Sequence, residues 1–230
     1  MDGHDLVLIL DFGSQYTQLI ARRIREQGVY CEIKPCTEEA PAERPARLVG
    51  LILSGGPSSV LGDDAPPFDA GWLALDVPIL GICYGMQLMA ASLGGSLGSS
   101  QRREYGHADV EVAEAATLFE GVSEKTAVWM SHGDHVETPP TGWRVIARST
   151  AGAMAAMADD TGRRFGLQFH PEVTHTAEGV TIIRNFLFSV CRVSADWSMG
   201  SFIDEQVAAI RAKVGDCLLY TSDAADDLYR

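Results

Sequence analysis

The sequence holds no apolar run near the roughly eighteen residues that a membrane-crossing helix needs. It also lacks a basic, apolar leader. Met1-Asp2-Gly3-His4-Asp5 is acidic and runs straight into Val7-Leu8-Ile9-Leu10, so no signal peptide is expected. Basic charge is scarce: 18 Lys and Arg face 31 Asp and Glu, for a net charge of −13. Such a chain repels phosphate backbones, which sets nucleic acid aside as a partner. Cysteine is sparse too. The five present include Cys31 and Cys36, whose spacing is not C-x-x-C, so neither a redox pair nor a zinc ribbon is expected. Free thiols fit a reducing, cytoplasmic setting. No internal repeat or low-complexity segment occurs. What remains is a chain of 230 residues, 46% hydrophobic, enough for one domain with a sizeable core and a small appendage.

Continuous apolar runs at Val7–Leu10, Leu48–Leu53 and Val77–Leu80 predict central strands of a parallel sheet covered on both faces. Between the first two lie a helix and a short strand. Tyr16, Leu19, Ile20 and Ile24 would form the helix's inner face, with Arg22, Arg23 and Arg25 outside, Ser14 as N-cap and Gly28 as stop. Tyr30–Ile33 is the strand, and Pro35–Pro45 a connection. Beyond Gly95 the pattern changes to short alternating stretches at 109–112, 126–130, 144–148 and 153–158, which predict an antiparallel or mixed extension, and 164–169 reads as another strand. Val180, Ile183, Leu187 and Val190 give a helix stripe. Cys191–Gly200 reads as a linker, and Ser201-Phe202-Ile203-Asp204 as a capping box opening a last helix. The fold class is therefore α/β: an open, mostly parallel sheet flanked by helices, with an antiparallel extension.

Gly81-Ile82-Cys83-Tyr84-Gly85-Met86-Gln87 joins a predicted strand to a predicted helix. A nucleophile on a sharp turn between glycines is the pattern of a nucleophile elbow, and the helix start beyond it favours a thiolate. A buried structural cysteine is the alternative for this stretch alone. In Gln168-Phe169-His170-Pro171-Glu172, residues two apart share a face of extended backbone, so Glu172 can orient His170. Reaching Cys83, that imidazole would complete a Cys-His-Glu triad for attack on an amide carbonyl. Ser54-Gly55-Gly56-Pro57-Ser58-Ser59 follows a parallel strand, where ligands bind, and its glycine amides suit an oxyanion. A pyrophosphatase phosphate loop is excluded there, because Ser58 stands where that loop needs Asp and Pro57 lacks an N–H.

These three stretches resemble the signatures of class I glutamine amidotransferases. Asp11-Phe12-Gly13-Ser14-Gln15-Tyr16, Trp129-Met130-Ser131-His132-Gly133-Asp134 and Glu172-Val173-Thr174-His175-Thr176 narrow the resemblance to the amidotransferase halves of GMP synthetases, a branch of that family. The resemblance runs from about Val7 to Asp216. It implies Cys83 as nucleophile, His170 as base and Glu172 as its orienter. It implies Gly56 and Tyr84 as oxyanion amides, with Gln87, Ser131, His132 and Gly133 holding the amino-acid end of L-glutamine. It implies no cofactor for this domain, ATP and Mg²⁺ belonging to an ATP-pyrophosphatase or synthetase domain that would take the ammonia. His132 with His135, or His170 with His175, lack a third ligand, so no metal is expected.

Residues 1–190 are thus read as the amidotransferase domain, and 191–216 as linker and start of the synthetase domain. Cys217–Arg230 departs from the family pattern and is read as a spurious tail after a truncated gene. Three rival readings stand beside the glutaminase of a GMP synthetase. They are the glutaminase of another class I amidotransferase, a Cys-elbow hydrolase of α/β type, and a non-catalytic binding module.

Overall fold

The computed structural model describes residues 4–114 and 117–215; the tail 217–230 lies outside them. Nine strands form one sheet. In chain order they are β1 (Leu6–Asp11), β2 (Cys31–Pro35), β3 (Leu48–Leu53), β4 (Ile79–Ile82), β5 (Ser96–Val112), β6 (Lys125–Thr138), β7 (Trp143–Ser149), β8 (Met154–Asp159) and β9 (Arg164–Leu167). The spatial order is β2-β1-β3-β4-β9-β8-β7-β5-β6. From β2 to β9 every pairing is parallel, and from β9 to β6 every pairing is antiparallel. The predicted parallel core and antiparallel extension are both present, with four pairings of each kind and β9 shared between them.

Strand alternation sorts the core into two layers. Val7, Ile9 and Ile52 point to the side where Ile20, Ala21 and Ile24 of helix α1 (Thr17–Glu26) and Ile182 and Ile183 of α4 (Gly179–Asn185) pack. Leu8, Leu10, Leu51 and Leu53 point the other way. They meet Trp72 and Leu73 of the short helix α2 (Gly71–Ala74) and Met86 and Met89 of α3 (Tyr84–Ser92). The apolar runs needed both covers, which is why they carry no polar alternation.

Four local expectations are revised. Ser14 is not the N-cap of α1; Tyr16 is, and the Ser14 hydroxyl instead accepts from the Tyr16 N–H at 3.1 Å, forming a turn just before the helix. Arg23 and Arg25 do not simply face solvent. Each is half-buried and donates to a backbone carbonyl, Glu172 and Cys31 respectively. The last helix, α5 (Met199–Val214), starts earlier than expected: Ser198 caps it and Ser201 is the return partner of the box. The Val180–Val190 stripe is α4 continued by a wider π turn at Phe186–Val190.

The 191–198 segment packs on the domain. Val193 and Trp197 are buried, the Trp197 N–H donates to Gly28 O at 2.9 Å, and the Ser194 N–H donates to Asp5. Beyond it, Met199, Ile203, Val207 and Ile210 of α5 are exposed. Among the described residues no helix is long and apolar enough to cross a membrane.

Candidate active site

The site sits at the carboxyl end of β4, next to β9. Cys83 is the single residue between β4 and α3, and its backbone has φ 52° and ψ −106°. A side chain at positive φ costs on the order of 1–3 kcal/mol, so surrounding bonds must enforce it. The Cys83 N–H donates to Leu167 O at 2.7 Å, the Gln87 N–H to Cys83 O at 3.2 Å, and the Gly85 N–H to Ser54 O at 3.1 Å. Glycine is required on both sides for space. A Cβ at Gly85 would lie 2.3 Å from Leu53 O, and one at Gly81 would lie 2.6 Å from Gly85 O.

His170 follows β9. Its N–H donates to Trp129 O at 3.1 Å, and its carbonyl accepts the Thr176 hydroxyl at 2.6 Å. That hydroxyl in turn accepts from the Trp129 N–H at 3.1 Å, so Thr176 bridges a gap in the ladder between His170 and β6. His170 Nδ1 lies 2.7 Å from the Glu172 carboxylate, as the two-residue spacing predicted. Cys83 and His170 line the same cavity, and the Cys83 thiol is among the groups that raise the His170 pKa. Burial pulls the His170 pKa down. The Glu172 charge and the Cys83 and Glu172 hydrogen bonds outweigh it, and the net shift is upward, to about 10. The ring therefore tends to hold its proton beside the sulfur.

The far edge strand, β6, reaches this site because the antiparallel half curls back. Met130 forms a bridge with Phe169, just past β9. Ser131, His132 and Gly133 thereby arrive at the cavity. His132 is buried with Nδ1 3.0 Å from Asp134 O, and burial above all drives its pKa down to about 4, so it is neutral near pH 7. Gln87 lines the cavity and braces this segment: its amide donates to Asp134 O at 2.7 Å and to Gln168 Oε1 at 3.3 Å. Tyr84 opens α3 and lines the cavity, its ring packed on Phe12 at 5.2 Å between centroids.

The cavity measures about 520 Å³. It brings together Cys83, His170, Gly56, Tyr84, Gln87, Ser131, His132 and Gly133, while the fully buried Glu172 stands behind His170. Sequence reasoning assigned no site role to several neighbours. Gly13–Tyr16 lines one wall, a stretch singled out only as a motif. Ser59 lines another and bonds the Asp134 carboxylate, which ties the glycine loop to β6. Ser54, fully buried, accepts the Phe12 N–H at 3.0 Å and so fixes the glycine loop to the end of β1. His175 packs on Trp129 and His107 rather than near His170's ring.

An elbow cysteine beside a buried His–carboxylate pair, on this sheet, defines a class of protein. The chain belongs to the class I glutamine amidotransferase family, whose pattern matches residues 8–190. Within that family it is similar to glutamine-hydrolyzing GMP synthases. That of Maridesulfovibrio salexigens is 52% identical over 218 residues, covering 94% of this chain and 42% of that protein. That of Heliobacterium modesticaldum is 50% identical over 212 residues, covering 92% and 41%. The chain thus spans about two fifths of the length of these relatives. A Thermoplasma acidophilum protein, provisionally assigned as one subunit of a GMP synthase, superposes with TM-score 0.74 at 28% identity over 90% of this chain and all of that one. A Thermotoga maritima glutamine amidotransferase shares the fold, with TM-score 0.67 at 20% identity over 82% of this chain and 99% of that one.

Proposed function

We propose that this domain hydrolyses L-glutamine to glutamate and ammonia through Cys83, His170 and Glu172. The observation that carries the reading is a strained, buried thiol lining one cavity with an imidazole whose Nδ1 is held by a buried carboxylate. The sulfur attacks the side-chain amide carbon. Oxyanion charge falls on the amides of Gly56 and Tyr84, and the His170 imidazolium protonates the departing ammonia. Water, deprotonated by His170, then cleaves the thioester. Gln87, Ser131, His132 and Gly133 form the wall for the zwitterionic end of the substrate. The chemistry needs no cofactor or metal in this domain.

The similarity to GMP synthases supports a narrower reading: the ammonia aminates XMP in a synthetase domain or subunit, which uses ATP and Mg²⁺, in the cytoplasm. Cys83→Ala is expected to abolish ammonia release from glutamine while the protein melts as before. Near-wild-type turnover would refute the triad. Adding a separately expressed XMP-adenylating domain is expected to raise the slow turnover of the isolated chain and yield GMP. A preference for a different acceptor domain would instead favour the glutaminase of another amidotransferase.

A further inference from the structure

Gln168 has no part in the triad, yet its side chain is fully buried beside the sulfur. Its Nε2 lies 3.8 Å from Cys83 Sγ, within hydrogen-bonding range for sulfur. Its Oε1 accepts from Gln87 Nε2 at 3.3 Å, and Gln87 Nε2 also donates to Asp134 O at 2.7 Å. This chain of bonds fixes the orientation of the Gln168 amide. Gln87 offers only donors at its nitrogen, so Gln168 must present its oxygen there and its NH₂ to Cys83. The Gln168 N–H donates to Ala155 O at 2.9 Å, which anchors the backbone at the exit of β9.

The sulfur has a second neighbour of opposite character. The Cys83 thiol donates to Ser131 O at 3.6 Å. A carbonyl can only accept, so this contact favours the protonated sulfur. The Gln168 NH₂ can only donate, so it favours the anionic sulfur. An amide as buried as that of Gln168 gives a stronger hydrogen bond to a developing anion than the same amide in solvent.

We propose that Gln168 is a further catalytic residue, its amide donating to the Cys83 thiolate and aimed there by Gln87. The proposal rests on the glutaminase reading for its role in turnover, but the contact itself concerns the sulfur alone. Gln87 then has a double task. It lines the substrate cavity and also orients the donor behind the nucleophile, so disturbance of the Ser131–Asp134 wall reaches the sulfur through two amides.

The test is the pH dependence of Cys83 alkylation by iodoacetamide, read at Cys83 by peptide mass spectrometry, in wild type, Gln168→Met and Gln168→Glu. Gln168→Met removes the donor at similar volume. Gln168→Glu keeps the acceptor for Gln87 but sets a carboxylate against the sulfur. The alkylation midpoint is expected to rise by about one pH unit in Gln168→Met, a tenfold smaller reactive fraction at fixed pH, and further in Gln168→Glu. Glutamine turnover should fall about tenfold in kcat with KM little changed. Gln168→Asn, which retains the amide on a shorter arm, is read alongside in case the methionine variant does not fold. A midpoint in folded Gln168→Met or Gln168→Glu that stays within about 0.2 units of wild type overturns the proposal. This arm needs no glutamine hydrolysis, so a failed glutaminase reading would show separately, in the Cys83→Ala assay.

Discussion

Glu172→Gln isolates the charge that holds His170 in its working form. Glu172 is fully buried; one carboxylate oxygen meets His170 Nδ1 at 2.7 Å, and the other has no hydrogen-bond partner among the described residues. Glutamine matches its shape and leaves the Arg23 bond to the residue 172 carbonyl untouched, so the fold should persist. A hydrogen bond to a charged group contributes about 1.5–3 kcal/mol, and each 1.4 kcal/mol is about tenfold in rate, so kcat/KM should drop roughly 10- to 150-fold. Glu172 does not line the cavity, so the loss should fall on kcat, measured as ammonia released from glutamine. Stability supplies an independent readout. The folded His170 pKa is raised from 6.5 to about 10, so the folded state binds that proton more tightly than the unfolded chain. The stabilisation is full below about pH 6.5 and is lost as pH rises through about 10. Urea unfolding at pH 6, 8 and 10 should show that decline in wild type and a flatter profile in the variant. Wild-type kcat within twofold, or an unchanged alkaline decline, would refute the reasoning.

Two further outcomes follow from the same geometry. Gly85→Ala places a methyl 2.3 Å from Leu53 O, which forces the elbow apart; we expect a loss of about 1–3 kcal/mol in urea unfolding and at least tenfold lower glutaminase activity, and full activity would contradict the space argument. His132 behaves oppositely to His170: its folded pKa is lowered from 6.5 to about 4, so its contribution is present above pH 6.5 and lost as pH falls through about 4. His132→Asn should flatten the acid side of the stability curve, by up to roughly 3 kcal/mol between pH 7 and 4, and an unaltered acid limb would count against it.

The parallel half and the cysteine elbow were legible because each rests on a local rule. A buried parallel strand must be apolar on both faces, and an elbow needs its glycines two residues either side of the nucleophile. His170 and Glu172 were legible from the two-residue period of extended backbone. What escaped depends on distant pairing. Nothing in the local pattern of Ser131–Asp134 reveals that β6, last in sheet order, curls back to Phe169 and delivers those residues to the cavity. The arginines of α1 read as a solvent face, because the Glu172 carbonyl that Arg23 meets is 149 residues away in the chain. The capping box was displaced because two serines, Ser198 and Ser201, both suit the cap, and only the buried Trp197 before them fixes where the helix begins. Gln168 passed as one more residue of a strand end, since its significance lies in a sulfur 85 positions earlier.

The alignment of β4 with β9 pairs Ile82 with Leu167. Cys83 lies one step past that rung and His170 three steps past it, so a single alignment sets how far sulfur and imidazole stand apart. Sliding one strand by one residue would move its reactive group about 3.3 Å and turn it to the opposite side of the sheet. Neither strand can therefore gain or lose a residue on its own, and the four short rungs from Ile79 to Ile82 act as the gauge that spaces the chemistry.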